Sequence, residues 1–169
     1  MKNIWLKSLM AAGFLLARQV EAQNLVFQAG TGVITPPFLV TNGCLCQTIQ
    51  TEITNGGRAV YTFTLTKAGN YVVQGLVNAP GGGANSFCVN IDSEPTDSTM
   101  VWDLPVTTGL TNQFMSWRGN KAGTSPKIFN LTPGTHQLIV RGAAANVQVQ
   151  RLALLPLPAP PGNLHIVGQ

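Results

Sequence analysis

The sequence has 169 residues and a formal net charge of +4 at pH 7, from 10 lysines and arginines against 6 acidic residues. No run of basic residues is interleaved with aromatic residues, so the composition gives no support to nucleic-acid binding. The length suits one domain of ordinary size, and the 18 glycines and 11 prolines supply many turn signals.

The N-terminal residues predict a signal peptide. Lys2 and Lys7 give a positively charged start, residues 8–17 form an apolar run, and small residues precede a cleavage point after Ala22. A helix that spans a bilayer needs roughly 20 apolar residues, so this run is too short to be an anchor. We therefore expect residues 1–22 to be removed from a protein that is secreted to the extracellular space or the cell surface, without membrane insertion.

Alternation of apolar and polar residues dominates the chain that follows and predicts β-strands. Tyr61, Phe63 and Leu65 alternate with threonines, and the turn sequence KAGN at residues 67–70 leads into a second alternating stretch. This pattern predicts a β-hairpin over residues 58–78 with one apolar face on each strand.

The same alternation recurs along the rest of the chain. Residues 85–92 predict a strand, with Phe87, Val89 and Ile91 inward and Cys88, Asn90 and Asp92 outward. Further strands are predicted at residues 25–28, 45–49, 100–104, 113–117, 127–129, 136–142 and 146–156. About ten short strands separated by turns, with no helical crossovers, predict an all-β fold: an antiparallel β-sandwich of the jelly-roll type over residues 23–155.

Three cysteines, Cys44, Cys46 and Cys88, allow at most one internal disulfide. Cys44 and Cys46 are two positions apart, so in a strand they point to the same face and either one could pair with Cys88. The alternative is that all three are buried, reduced thiols that pack as small apolar residues. Two cysteines in a CxC spacing, with no neighbouring histidine, form a poor zinc site.

Several segments in a fixed order carry a resemblance to a known group of proteins. They are AVYTFTLTKAGNYVVQGLVNAPGGGANSFCVNID, MVWDLP, SWRGN and FNLTPGTHQLIVRG. Together they resemble the galactose-binding-like sandwiches of secreted bacterial proteins, above all the family 6 and family 35 carbohydrate-binding modules, from about Leu25 to Leu155. The resemblance implies a non-catalytic module that binds a polysaccharide or other glycan through loops at one end of the sandwich.

The same resemblance bears on the tail and on metal binding. Residues 156–169 are a proline-rich linker, a bare tail or the start of a segment similar to a fibronectin type III domain, which fits a module appended to other extracellular domains.

Related modules often hold a structural calcium through a glutamate on the first strand and an aspartate on the last, where this chain has Gln28 and Gln150. Calcium prefers carboxylates, so we expect no cofactor there.

A cluster of four acidic residues lacks the ligand spacing of a calcium-binding loop, and we expect these residues to lie in a solvated loop. Its members are Asp92, Glu94, Asp97 and Asp103.

The candidate sugar-binding residues combine aromatic rings with planar polar groups. Strand parity places Trp102 with Leu104 and Trp117 with Met115, which favours core positions for both indoles, but the residue types suit sugar stacking. We expect one of the two to be exposed and favour Trp102 together with Asp103. The full candidate set is Asn85, Trp102, Asp103, Trp117, Arg118 and Asn120.

Catalysis has little support in the sequence. His136 lies in a predicted strand and His165 in the tail, so no Ser-His-Asp arrangement can be proposed. We therefore expect no enzyme activity. The rival to a glycan-binding module is a structural or adhesive spacer domain of an exported surface protein, without sugar affinity. Exposure of Trp102 or Trp117 would favour glycan binding, and burial of both would favour the spacer.

Overall fold

The computed structural model describes residues 24–119 and 125–158. Two antiparallel β-sheets of seven and five strands pack face to face, which confirms the predicted β-sandwich. The remaining regular structure consists of short 3-10 turns at residues 29–31, 53–55 and 98–100. Across the residues described, no helix has the length and apolar character needed to cross a membrane.

The strands of the described residues are numbered along the chain. They are β1 (Leu25–Gln28), β2 (Val33–Thr35), β3 (Leu39–Thr41), β4 (Cys44–Cys46), β5 (Arg58–Leu65), β6 (Gly69–Asn78), β7 (Ser86–Ile91), β8 (Val101–Asp103), β9 (Thr111–Phe114), β10 (Ile128–Leu131), β11 (Gly134–Gly142) and β12 (Gln148–Pro156). The first sheet has the order β10-β6-β12-β4-β3, with β1 also paired to β12 and β9 also paired to β6. The second sheet has the order β2-β5-β11-β7-β8.

The predicted hairpin over residues 58–78 is wrong, although both of its strands exist. β5 pairs with β2 and β11 in the second sheet, whereas β6 pairs with β9, β10 and β12 in the first. The turn between them therefore carries the chain across the sandwich. Phe63 and Leu65 enter the core from one side, and Tyr71 and Val73 enter it from the other. Alternation shows which face of a strand is buried, but it does not show which strand lies beside it.

The inward positions predicted for β7 are confirmed, and two of its outward positions are corrected. Phe87, Val89 and Ile91 belong to the core. Cys88 and Asn90, expected to face solvent, are only 0% and 6% exposed. β7 lies between β8 and β11 inside the second sheet, and Asn90 donates from its amide to the Ser93 hydroxyl at 2.6 Å.

The last strand of the second sheet, β8, faces the first sheet through a tryptophan. The indole of Trp102 lies directly against the backbone of Gly75 in β6, where an added Cβ would come within 2.5 Å of the ring. Glycine is required at this point because any side chain would occupy the volume of the indole. This contact holds β8 close to β9, which pairs with β6 at the same place through Gln113 opposite Gly75.

The first and last strands of the sandwich are neighbours. β1 runs antiparallel to β12, with Leu25 opposite Leu154 and Gln28 opposite Arg151. The register of β12 against β6 shifts between Val149 and Arg151, which marks a β-bulge at that point.

Candidate functional site

A cavity of about 350 Å³ lies between β8 and β9, where the edges of the two sheets approach each other. Its apolar walls come from Trp102, Leu104, Pro105 and Phe114. Its polar groups come from Asp103, Gln113 and Ser116. The volume falls within the range of roughly 300–1,000 Å³ that is usual for small-ligand sites.

The expectation that Trp102 offers an exposed stacking face is wrong. Its side chain is 1% exposed and belongs to the hydrophobic core. The ring packs against Phe87, with ring centroids 6.3 Å apart, and against the backbone of Gly75. Trp102 therefore contributes to the cavity wall, while most of its surface is used for packing.

The exposed aromatic residue of the cavity is Phe114, which is not among the site residues predicted from the sequence. Its side chain is 46% exposed at the end of β9, opposite Gln74 of β6. Strand parity does not identify it, because Phe114 shares parity with the buried Ser116 as well as with the exposed Arg118.

The structure brings two predicted site residues, Asp103 and Arg118, into direct contact. The guanidinium donates two hydrogen bonds to the carboxylate, from Nε to Oδ2 at 2.7 Å and from Nη2 to Oδ1 at 2.6 Å. This bidentate geometry is the strong form of the pair, and the hydrogen bond to Asp103 raises the pKa of Arg118. The Arg118 backbone N–H also donates to the Val101 carbonyl of β8, which holds Arg118 beside that strand.

Trp117 is half-buried and is engaged by its neighbours. Its Nε1–H donates to the Val89 carbonyl at 2.9 Å, and its ring meets Phe129 edge-on at 6.2 Å. The Lys127 ammonium lies 4.1 Å from the ring centroid, in a cation–π contact. Trp117 does not line the cavity, and its contacts are those of a packing residue. Neither tryptophan therefore offers the exposed face that was expected to favour glycan binding over a spacer, and the exposed aromatic residue at the cavity is Phe114 instead.

The two predicted asparagines have different outcomes. Asn85 links the glycine-rich loop before β7 (residues 79–85) to the segment after β8. Its side-chain NH2 donates to the backbone carbonyl of Leu104 at 3.0 Å, and its backbone carbonyl accepts from the backbone N–H of Leu104 at 2.8 Å. The cavity lies next to this segment, but Asn85 is not in its wall. Asn120 lies outside the described residues.

The acidic residues expected in a solvated loop are engaged in hydrogen bonds and ion pairs. Glu94 accepts from Arg58 and Arg141, each at 2.7 Å. Burial raises the pKa of Glu94, but the hydrogen bonds from the two arginines outweigh it and leave the pKa lowered. Asp97 accepts from the backbone N–H of Thr99 at 2.8 Å. Within the part of the chain that the structure describes, no group of three or more His, Cys, Asp or Glu side chains could hold a metal ion.

The fourth acidic residue, Asp92, is paired with the buried His136. Nδ1 of the imidazole lies 2.6 Å from an Asp92 oxygen, and Nε2 lies 2.8 Å from the Thr132 carbonyl. The Thr132 carbonyl and an ionised Asp92 both accept hydrogen bonds, so this arrangement favours the imidazolium form, in which both ring nitrogens donate. Burial lowers the pKa of His136, but the hydrogen bonds to Asp92 and Thr132 raise it by more than burial lowers it. The pKa therefore lies above the ordinary 6.5. The pair joins β11 to the loop after β7, away from the cavity.

The three cysteines are free and buried. Cys44 and Cys46 lie on β4 of the first sheet and Cys88 on β7 of the second, and no disulfide joins them in this structure. Burial raises the pKa of all three thiols, that of Cys88 to about 11. Protonated thiols of this kind are poor nucleophiles.

The two glutamines at the positions of the expected calcium ligands lie close together. Gln28 is the exposed last residue of β1, opposite Arg151, and Gln150 occupies the bulge next to Arg151. The expectation that this pair holds no calcium stays a prediction.

Comparison with solved structures identifies the class of fold. The C-terminal family 6 carbohydrate-binding module of the laminarinase LamC from Zobellia galactanivorans matches with a TM-score of 0.55 and 12% identity, over 79% of this chain and 99% of the module. A family 35 module from Clostridium thermocellum matches with 0.53 and 12%, over 80% and 100%. The mannan-binding module of Man5C matches with 0.54 and 14%, over 79% and 99%.

The chain therefore has the β-sandwich fold of family 6 and family 35 carbohydrate-binding modules, as its segment order suggested. A scan against protein-family models and a search of curated proteins gave no match. At identities of 12–14% the likeness establishes the fold alone.

Proposed function

We propose that the protein is a secreted, non-catalytic carbohydrate-binding module and that the cavity between β8 and β9 is its glycan-binding site. One observation carries the proposal. The exposed residue Phe114 and the acidic residue Asp103, whose carboxylate is held by Arg118, line the same cavity together with the amide residue Gln113.

This arrangement has the chemistry that sugar recognition requires. The apolar C–H face of a pyranose packs against an aromatic ring, which removes apolar surface from water. The hydroxyls of the same sugar both donate and accept, so they can donate to the Asp103 carboxylate and accept from the amide of Gln113. The ion pair holds the carboxylate in place before a ligand arrives, which lowers the entropy cost of binding.

The absence of a catalytic role is supported by the composition of the cavity wall. Glycoside hydrolysis ordinarily uses two carboxyl groups about 5–10 Å apart across the scissile bond. Asp103 is the one carboxylate among the described residues that line the cavity. Secretion is supported by the signal-peptide pattern of residues 1–22. That the matching module of the laminarinase is its C-terminal part supports a role as a domain appended to other extracellular domains.

Glycan-array binding of the full chain tests the proposal, with Phe114→Ala as the site variant. The matched control is Val33→Ala, which removes an apolar side chain that is 70% exposed on β2, at the far edge of the second sheet from β8. We expect binding by the parent and the control, and a loss of about tenfold or more in Phe114→Ala, equivalent to roughly 1.4 kcal/mol.

Binding that survives Phe114→Ala would place the site elsewhere on the sandwich. No binding across a broad array by folded protein would refute the proposal and favour a spacer domain. N-terminal sequencing of the exported protein tests secretion separately, with Gln23 as the expected first residue.

A further inference from the structure

We infer, on the basis of the proposed function, that the cavity selects neutral glycans against glycans that contain uronic acids. Asp103 is the residue that sets this selectivity. The inference concerns the charge class of the ligand, and it rests on the position of one carboxylate and on the state of the arginine beside it.

The wall of the cavity carries a single ionisable side chain among its described residues. Gln113 and Ser116 are neutral, the other lining side chains are apolar, and Asp103 is an acid. A sugar carboxylate that enters the cavity therefore meets a carboxylate of the same sign. Like charges at short range repel, and the repulsion is stronger beside apolar walls than in bulk water.

The nearest cation does not compensate for this repulsion. Arg118 already directs Nε and Nη2 at the two oxygens of Asp103, at 2.7 and 2.6 Å. That two-pronged geometry is the one with which an arginine would recognise the carboxylate of a uronic acid. A sugar carboxylate that used the same two N–H groups would have to displace Asp103. Arg118 itself is not among the residues that line the cavity, so its other N–H groups do not offset the charge of Asp103 inside it. Lys127, the other cation nearby, lies over the Trp117 ring and is not part of the cavity wall.

Neutral sugars meet no such obstacle. A hydroxyl can donate to Asp103 while its oxygen accepts from another group, whereas a carboxylate can only accept. An ionised Asp103 offers about four lone-pair sites, two of which are used by Arg118, so hydrogen-bonding capacity remains for hydroxyl donors. The same side chain therefore favours hydroxyl groups and opposes carboxylates.

The test measures binding to pairs of oligosaccharides with the same linkage, one neutral and one oxidised at C6 to the uronic acid. The full chain is compared with Asp103→Asn, which has nearly the same shape, removes the negative charge and releases Arg118. The matched control is Asp97→Asn, which removes the same charge from a residue outside the cavity wall. We expect the parent and the control to prefer the neutral member at least tenfold, and Asp103→Asn to lose that preference or reverse it.

A second readout needs no variant. The preference of the parent for the neutral member should shrink in 1 M salt, where the screening length is about 3 Å, because it arises from charge repulsion. Equal binding of both members by the parent, or an unchanged preference in Asp103→Asn, would overturn the inference and leave the proposed function standing. No binding of either member by the parent on any pair would instead count against the proposed function.

Discussion

Trp102→Ala measures how much of the fold depends on the indole at the cavity wall. An aromatic side chain buries about 150–250 Å². At about 25 cal/mol per Å² this corresponds to roughly 4–6 kcal/mol for a residue that is 1% exposed. The space left behind is bounded by Phe87 and by the backbone of Gly75, which limits collapse of the site. Since Trp→Ala in a core typically costs about 3–5 kcal/mol, we expect a loss of about 4 kcal/mol in the free energy of unfolding.

Urea denaturation of the full chain, followed by far-UV circular dichroism, gives the free energy of unfolding by linear extrapolation. Phe114→Ala is the control: it also removes an aromatic ring from the cavity, but the ring is 46% exposed, so we expect a loss of under about 1 kcal/mol. If Trp102→Ala costs no more than this control, the indole is not a core residue and the reasoning from burial fails. Loss of glycan binding by Trp102→Ala at unchanged stability would assign the indole a direct contact with the sugar.

Two further predictions concern stability. Gly75→Ala should cost about 1–3 kcal/mol by overpacking, because the new Cβ would lie 2.5 Å from the Trp102 ring. Thermal unfolding measures it against Gly82→Ala, which meets nothing within 4 Å, and equal midpoints would contradict the prediction. Since the folded-state pKa of His136 is raised above 6.5, its stabilisation is complete below that pH and is lost as pH rises through the folded value. Urea midpoints of the parent should fall over that range more steeply than those of His136→Gln, and parallel profiles would exclude the mechanism.

Local alternation was enough to find most of the strands and the overall class of fold. β1 was predicted with its observed bounds, and the inward residues of β5 and β7 are those that alternation indicated. The pairing of strands was not available from the same signal. β5 and β6 are joined by a short turn and still belong to different sheets, because the neighbours of each strand are set by contacts between distant parts of the chain.

In the candidate site, too, the pattern along the chain indicates which side chains are buried but not which strands lie together. Strand parity with Leu104 predicts a core position for Trp102, which the structure shows, whereas the residue type, which suits sugar stacking, predicts exposure. Parity also placed Phe114 with Arg118, without indicating that β9 approaches β8 from the other sheet. The cavity forms where β8 of one sheet approaches β9 of the other, and the distance between these two strands cannot be predicted from the spacing of residues along the chain.

The pairing of β1 with β12 has a consequence for how this domain can be joined to others. Leu25 lies opposite Leu154, so the two ends of the sandwich leave from adjacent points on one sheet. Closely spaced ends permit circular permutation and insertion into a loop of a host protein. A partner fused before β1 and one fused after β12 would therefore start from nearly the same place relative to the cavity.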